Sequence, residues 1–220
     1  MMQFRRFSRP AVLAVAFLTT GCADSVGPPM RPPAGLNIIP LPAGHANLYN
    51  PRVSFDAVKG QDVEANIYFD DGLGGQGDEY LRFRVRPRSL LRRPDGTLIQ
   101  NGESVRITIT VVNPDSILFN FQPAGLQFDP NDPADLKIDY GETGDDLDDD
   151  GDVDPQDAQI EGEISIWRQP TPGAQYIRLQ PRSHDQSLDE IEADVLGFSR
   201  FALAYLEENE VTRGRTGRFP

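Results

Sequence analysis

Residues 145–157 read DDLDDDGDVDPQD, and their carboxylates are spaced for a hard divalent cation. Counted from Asp146 as position 1, Asp148, Asp150, Asp152 and Asp154 fall at positions 3, 5, 7 and 9, and Asp157 closes the run at position 12. Ca²⁺ needs several oxygen ligands at once, and alternate positions of a tight loop point them inward. Position 7 supplies a backbone carbonyl, so the Asp152 side chain matters least. Gly151 at position 6 permits the sharp turn that a side chain would obstruct. Val153 at position 8 is expected to be the apolar anchor of the loop. Asp157 is shorter than the usual Glu at position 12, so its reach toward an ion is shorter too. A second reading stays open: dense like charge is commonly a solvated acidic hairpin tip.

Whatever positions the loop has to come from its flanks. Leu136, Ile138 and Tyr140 alternate with polar residues, so a strand leads in. No long helix is expected. The loop resembles one half of a dockerin-type calcium repeat, which also ends in Asp. A dockerin carries two such loops and this sequence shows one; an EF-hand has a helix on each side, whereas here a strand precedes.

The N-terminus carries a second chemical signal. Arg5, Arg6 and Arg9 precede the apolar run AVLAVAFL at residues 11–18, which is too short to span a bilayer. Thr19, Thr20, Gly21 and Cys22 follow, and Cys22 is the single cysteine of the chain, so no intrachain disulfide can form. Small residues ahead of a cysteine after such a run resemble the lipobox of bacterial lipoproteins. The resemblance implies a signal peptide over residues 1–21, cleavage before Cys22, a lipid on its thiol and an acyl (palmitate-type) chain on the new amine. Thr19 departs from the Leu favoured three places before the cysteine. Cleavage as an ordinary signal peptide is the alternative. Ala23, rather than Asp, follows the cysteine, which leans toward an outer-membrane location. Residues 22–47 then read as a Pro-rich, disordered tether that holds the domain off a lipid surface.

Formal net charge is −13, but eight of the 34 acidic residues lie within the 145–157 run. The acidity is therefore largely local, and it argues against nucleic acid as a partner. The 20 glycines and 19 prolines favour turns and short strands. Period-two alternation marks those strands: Val63 to Phe69, Leu81 to Val85, Val105 to Val111, Ile117 to Phe121, Leu136 to Tyr140, Ile164 to Trp167, Tyr176 to Leu179, Ile191 to Val195 and Phe198 to Tyr205. Seven or more short strands between turn clusters predict an all-β chain, an antiparallel β-sandwich over residues 48–206, followed by a loose tail over 207–220. The glycine-rich stretch at 70–77 lacks Lys and a following helix, so it is a turn and not a phosphate cradle. Arg82, Arg84 and Arg86 form a basic stripe on one strand, either a solvated face or a surface for phosphate and lipid head groups.

Several segments together resemble the ZU domain of zonula-occludens proteins, ankyrins and netrin receptors. LRFRVRPRSL at 81–90 is similar to its "V-P-P-G-A-L" strand and turn, and Val105 to Val111 to the strand that follows. PAGLQF at 123–128 is similar to "P-x-G-L-x-F", with Pro133 and Ala134 after it. GFSRFALA at 197–204 is similar to the closing "H-F-S-x-Y-A" strand. The resemblance implies a β-sandwich that serves as a structural or interaction module without a cofactor of its own, and it makes the Asp loop an insertion at a hairpin tip between two strands. In some relatives the closing His-Phe-Ser cuts its own backbone. Here Gly197 stands in place of the His, so Ser199 lacks its adjacent base and the chain is expected to stay intact.

Two functions remain in competition. One is a lipid-anchored, non-catalytic envelope module, calcium-stabilised, that meets an envelope protein or polysaccharide. The other is an envelope hydrolase that uses acidic residues. His45 and His184 are the only histidines, in a loop and a polar turn respectively, and no Gly-x-Ser-x-Gly elbow or HExxH motif is present. The first reading is preferred, with no catalytic residue assigned.

Overall fold

β-Branched and aromatic residues at every second position make strands that bury one face, and they do so here on two sheets. The computed structural model describes residues 30–31 and 35–206; Cys22, the apolar run before it and residues 207–220 lie outside that range. The larger sheet runs in the order β1 (Met30–Arg31), β12 (Tyr176–Arg178), β11 (Ser165–Gln169), β15 (Arg200–Leu206), β8 (Leu118–Gln122), β7 (Ser104–Val111) and β3 (Arg52–Val58), and β2 (Leu36–Ile38) also pairs with β15. The smaller sheet runs β13 (Pro181–Asp185), β14 (Glu190–Val195), β10 (Ala134–Asp139), β5 (Gln76–Val85) and β4 (Val63–Asp70). A short ribbon joins β6 (Leu90–Arg92) to β9 (Gln127–Phe128). All of these pairings are antiparallel, as the sequence pattern predicts.

The core lies between the sheets. Phe69, Leu81, Phe83, Val85, Leu136, Ile138, Ile191 and Val195 from the smaller sheet meet Ile107, Ile109, Phe119, Phe121, Phe201 and Leu203 from the larger. At its centre the ring of Phe83 lies 5.2 Å from Phe121, 5.3 Å from Phe198 and 6.1 Å from Phe128. These are tilted and edge-on arrangements, which suit the aromatic quadrupole.

Three sequence expectations are corrected. Residues 36–47 were assigned to the tether, yet β2 pairs with β15, and Ile39 and Leu41 are in the core. Prolines at 40 and 42 break the alternation and hide that strand. The polar stretch at 182–186 was read as a turn; residues 182–185 belong to β13, an edge strand paired with β14, which explains why its side chains can be polar. A helix, α1 (Pro155–Glu163), follows the acidic loop, where two strands alone were expected.

The basic stripe is matched by carboxylates. Arg82 pairs with Glu192 at 2.9 Å, Arg84 with Asp62 and Arg86 with Asp135. Lys137, only 8% exposed, sits between Glu79 at 2.8 Å and Glu190 at 2.6 Å. The exposed pairs are screened by water and contribute little, whereas the buried Lys137 charge needs its two carboxylates, so the face holds its shape mainly through the strands beneath it.

Phe83→Ala should cost about 3–5 kcal/mol, because it leaves a cavity where four rings meet. Urea denaturation measures this; a loss below about 1 kcal/mol would contradict the central place given to this ring.

Candidate metal centre

The acidic loop is suspended between β10 and α1. After β10 the chain makes a short 3-10 turn, Gly141–Thr143, closed by Thr143 Oγ1 donating to the Tyr140 carbonyl at 2.6 Å. Two apolar side chains then fasten the unit to the sandwich: Leu147 from the loop and Ile160 from α1, both in the main core. Val153, the expected anchor, is 65% exposed, and Leu147, at 4%, takes that role.

The start of α1 explains why the loop takes this shape. Asp154 is the N-cap and accepts from the Gln156 N–H at 2.6 Å, Pro155 occupies the first turn, and Asp157 accepts from the Asp154 N–H at 2.8 Å. This reciprocal arrangement satisfies backbone donors that a helix start leaves open. The other oxygen of Asp157 accepts from the Leu147 N–H at 2.7 Å. Asp157 is thus buried, at 5% exposure, and joins the two ends of the loop. The Asp154 N–H and the Leu147 N–H hold its carboxyl below the usual carboxylate range.

Of the six predicted ligands, the structure brings three together. Asp146, Asp148 and Asp157 each place a carboxylate oxygen within 4.8 Å of the others. Oxygens about 2.4 Å from one Ca²⁺ can lie no farther apart than about 4.8 Å, so this spacing meets one necessary condition for sharing an ion. Asp146 also accepts from the Asp150 N–H at 3.2 Å and the Gly151 N–H at 3.0 Å, a turn that Gly151 makes at φ 98°. Asp150, Asp152 and Asp154 stay outside the cluster and are exposed. Asp150 accepts from the Asp152 N–H, Asp154 is committed to its cap, and the charge of Asp150 pushes the Asp152 carboxyl up.

Beside the loop lies a polar hollow of about 280 Å³ whose wall includes Tyr140, Asp145, Asp157, Glu161 and Asp189. Tyr140 Oη lies 2.9 Å from His184 Nε2 and donates to Glu161 at 3.4 Å, which links β10, β13 and α1. Burial lowers the His184 pKa and, with the Glu161 charge, raises that of the Tyr140 phenol. The pairing was not foreseen, because nothing in the sequence shows that β13 lies near residue 140.

The remaining residues singled out by sequence have local partners. His45 Nδ1 meets the Ala46 carbonyl at 2.8 Å, and its Nε2 lies 3.7 Å from Asp115. Ser199 is buried and its Oγ accepts from Arg168 Nε at 3.0 Å. A side chain at Gly197 would put its Cβ 3.0 Å from the Leu126 carbonyl oxygen, so the place where the resemblance calls for a histidine is crowded by backbone. No protein-family model, no curated protein and no solved structure matches this chain.

Asp139, at the end of β10, gives a pH-dependent test. Burial, with the charges of Glu190 and Asp189, pushes its carboxyl from an ordinary 3.8 up to about 6, against the opposing pull of the Gly141 N–H. The folded chain therefore holds a proton between those values that the unfolded chain releases, and stability falls as pH rises through that window. Asp139→Asn keeps an acceptor for Gly141 and removes the charge. It should be more stable than the parent at pH 7.5 by on the order of 1 kcal/mol, allowing for solvent screening, and nearly equal to it near pH 4. Denaturant titrations at the two pH values decide this; a variant less stable at pH 7.5 refutes it.

Proposed function

We propose that the chain is a non-catalytic envelope module, anchored through lipid on Cys22, whose acidic loop takes one Ca²⁺ and whose β-sandwich meets an envelope protein or polysaccharide. The observation that carries this reading is the single cysteine, which follows a short apolar run by way of Thr19, Thr20 and Gly21, with arginines ahead of the run. Retention on the outer membrane is part of the proposal. The calcium part rests on the Asp146, Asp148 and Asp157 cluster. Asp150, Asp152 and Asp154 would contribute through backbone or water rather than through the clustered carboxylates.

The ZU-like reading is part of the proposal. The two most distinctive segments, 123–128 and 197–204, are neighbours: Phe198 N–H donates to the Leu126 carbonyl at 2.9 Å and Gly125 N–H to the Phe198 carbonyl at 3.2 Å. A module whose motifs serve to close its own fold is expected to act through surface and not through chemistry.

Two outcomes test the proposal separately. Cys22→Ala should move the protein from the membrane fraction to the soluble fraction and remove the lipid mass from the mature N-terminus; unchanged fractionation with no such mass in the parent refutes the anchor. Calcium at about 100 times its dissociation constant should raise the melting temperature by about 5–10 °C over a chelated sample. Asp146→Asn/Asp148→Asn should abolish that rise, and identical melting curves for the parent in both buffers refute the calcium site.

A further inference from the structure

Arg168 is a cation set among apolar side chains. It stands on β11 opposite Ile177 of β12 on one side and Phe201 of β15 on the other. Residues directly opposite share a face of the sheet, and Phe201 belongs to the core, so Arg168 lies on the core side. Its Nε donates to the buried Ser199 Oγ at 3.0 Å. Among the described residues its two Nη groups have no hydrogen-bond partner, and no carboxylate pairs with the guanidinium. Burial pushes its pKa down with no neighbouring carboxylate to oppose the shift. The contrast is Lys137, whose charge meets both Glu79 and Glu190. A guanidinium drawn out of water without an anion is costly.

Arg168 lines a groove of about 510 Å³ at the edge of the sandwich, a size that suits a small molecule. Ile177, Leu179 and Leu196 are partly exposed in it, and Val195 and Phe201 are buried against it. The other charged groups of the lining are already engaged. Arg182 lies 3.5 Å from Asp194 and also pairs with Asp135 and Glu192. Arg178 stands opposite Trp167, on the other face of the sheet from Arg168, and its Nε donates to Ser165 Oγ at 2.7 Å. Main-chain groups of the walls are spent inside the fold as well. The Leu179 N–H donates to the Ile166 carbonyl at 2.9 Å, and the Leu196 carbonyl accepts from the Phe128 N–H at 3.0 Å. Such walls offer side chains rather than a strand edge, which favours a small molecule over an extended peptide.

We propose that this groove binds a small aliphatic carboxylate, with the carboxylate on the two Nη groups of Arg168 and the chain along Ile177, Leu179 and Leu196. Nη1 and Nη2 form the end of the guanidinium fork and match the two carboxylate oxygens. The ligand supplies the anion that Arg168 lacks, and its chain covers apolar surface that water now meets. The site uses neither lipid nor calcium, so its test is separate from those of the anchor and the acidic loop.

The test is a titration of octanoate into the full chain, followed through the methyl NMR signals of Ile177, Leu179 and Leu196. Cys22→Ser in every sample keeps lipidation out of the measurement. A dissociation constant of about 1 mM or below is expected, a modest value for so small a ligand. 1-Octanol, with the same chain and no charge, should bind about tenfold more weakly or worse. Arg168→Gln removes the charge and should bring octanoate down to the level of octanol. Leu196→Asp, at an exposed position, leaves Arg168 in place and should weaken octanoate by about tenfold. It decides the matter if Arg168→Gln melts below the parent. Equal affinity for octanoate and octanol overturns the proposal, and so does octanoate binding that survives both substitutions. The absence of a saturable shift at the three methyl-bearing residues overturns it too.

Discussion

The two sheets are tied together where β14 hands the chain to β15. Residues 196–199 cross from the smaller sheet to the larger, and the crossing is braced by the segment that leaves β8. Phe198 N–H reaches the Leu126 carbonyl at 2.9 Å, Phe128 N–H the Leu196 carbonyl at 3.0 Å, and Phe121 N–H the Ser199 carbonyl at 2.9 Å. The approach is tight at Gly197, where a Cβ would stand 3.0 Å from the Leu126 oxygen and the backbone would have to give by a few tenths of an ångström. The crossing delivers Phe198 into the ring cluster of Phe83, Phe121 and Phe128, so the hydrogen bonds and the core fix each other. Ser199 is held in the same brace by Arg168, which occupies the hydroxyl that self-cleavage would need.

The sheets were legible where burial on one face imposes strict alternation. Val105 to Val111 and Ile191 to Val195 carry that pattern without interruption, and both are strands. Legibility failed where another constraint overrode the period. Prolines at 40 and 42 masked a segment that nonetheless buries Ile39 and Leu41. β13 is an edge strand, so its polar residues gave no hydrophobic signal. The long-range pairing of Tyr140 with His184 depends on sheet order, which local patterning does not encode.

The acidic run was legible in a different sense: the residues were found, but half of their work was not. Asp154, Pro155 and Asp157 form a helix start by residue type alone, with a cap, a proline in the first turn and an acid three places after the cap. The structure divides the aspartates by task. Asp154 caps, Asp157 caps and also joins the cluster, and Asp146 and Asp148 complete the cluster.

That division sets like charges against hydrogen bonds within the loop. Unit charges 4–5 Å apart repel by about 1 kcal/mol in bulk water and by a few kcal/mol at an effective dielectric constant near 20. Three clustered carboxylates make three such pairs. Against them stand a helix cap, worth about 1 kcal/mol, and backbone hydrogen bonds to Asp146 and Asp157, each worth about 0.5–1.5 kcal/mol. These hydrogen bonds oppose the repulsion and let the fold hold the carboxylates together. A divalent cation changes the sign of the largest contribution, because each carboxylate then faces a double positive charge at a shorter distance. Asp157 carries the consequence into the sandwich: it alone belongs to the cluster, to the α1 cap and, through Leu147, to the segment anchored in the core.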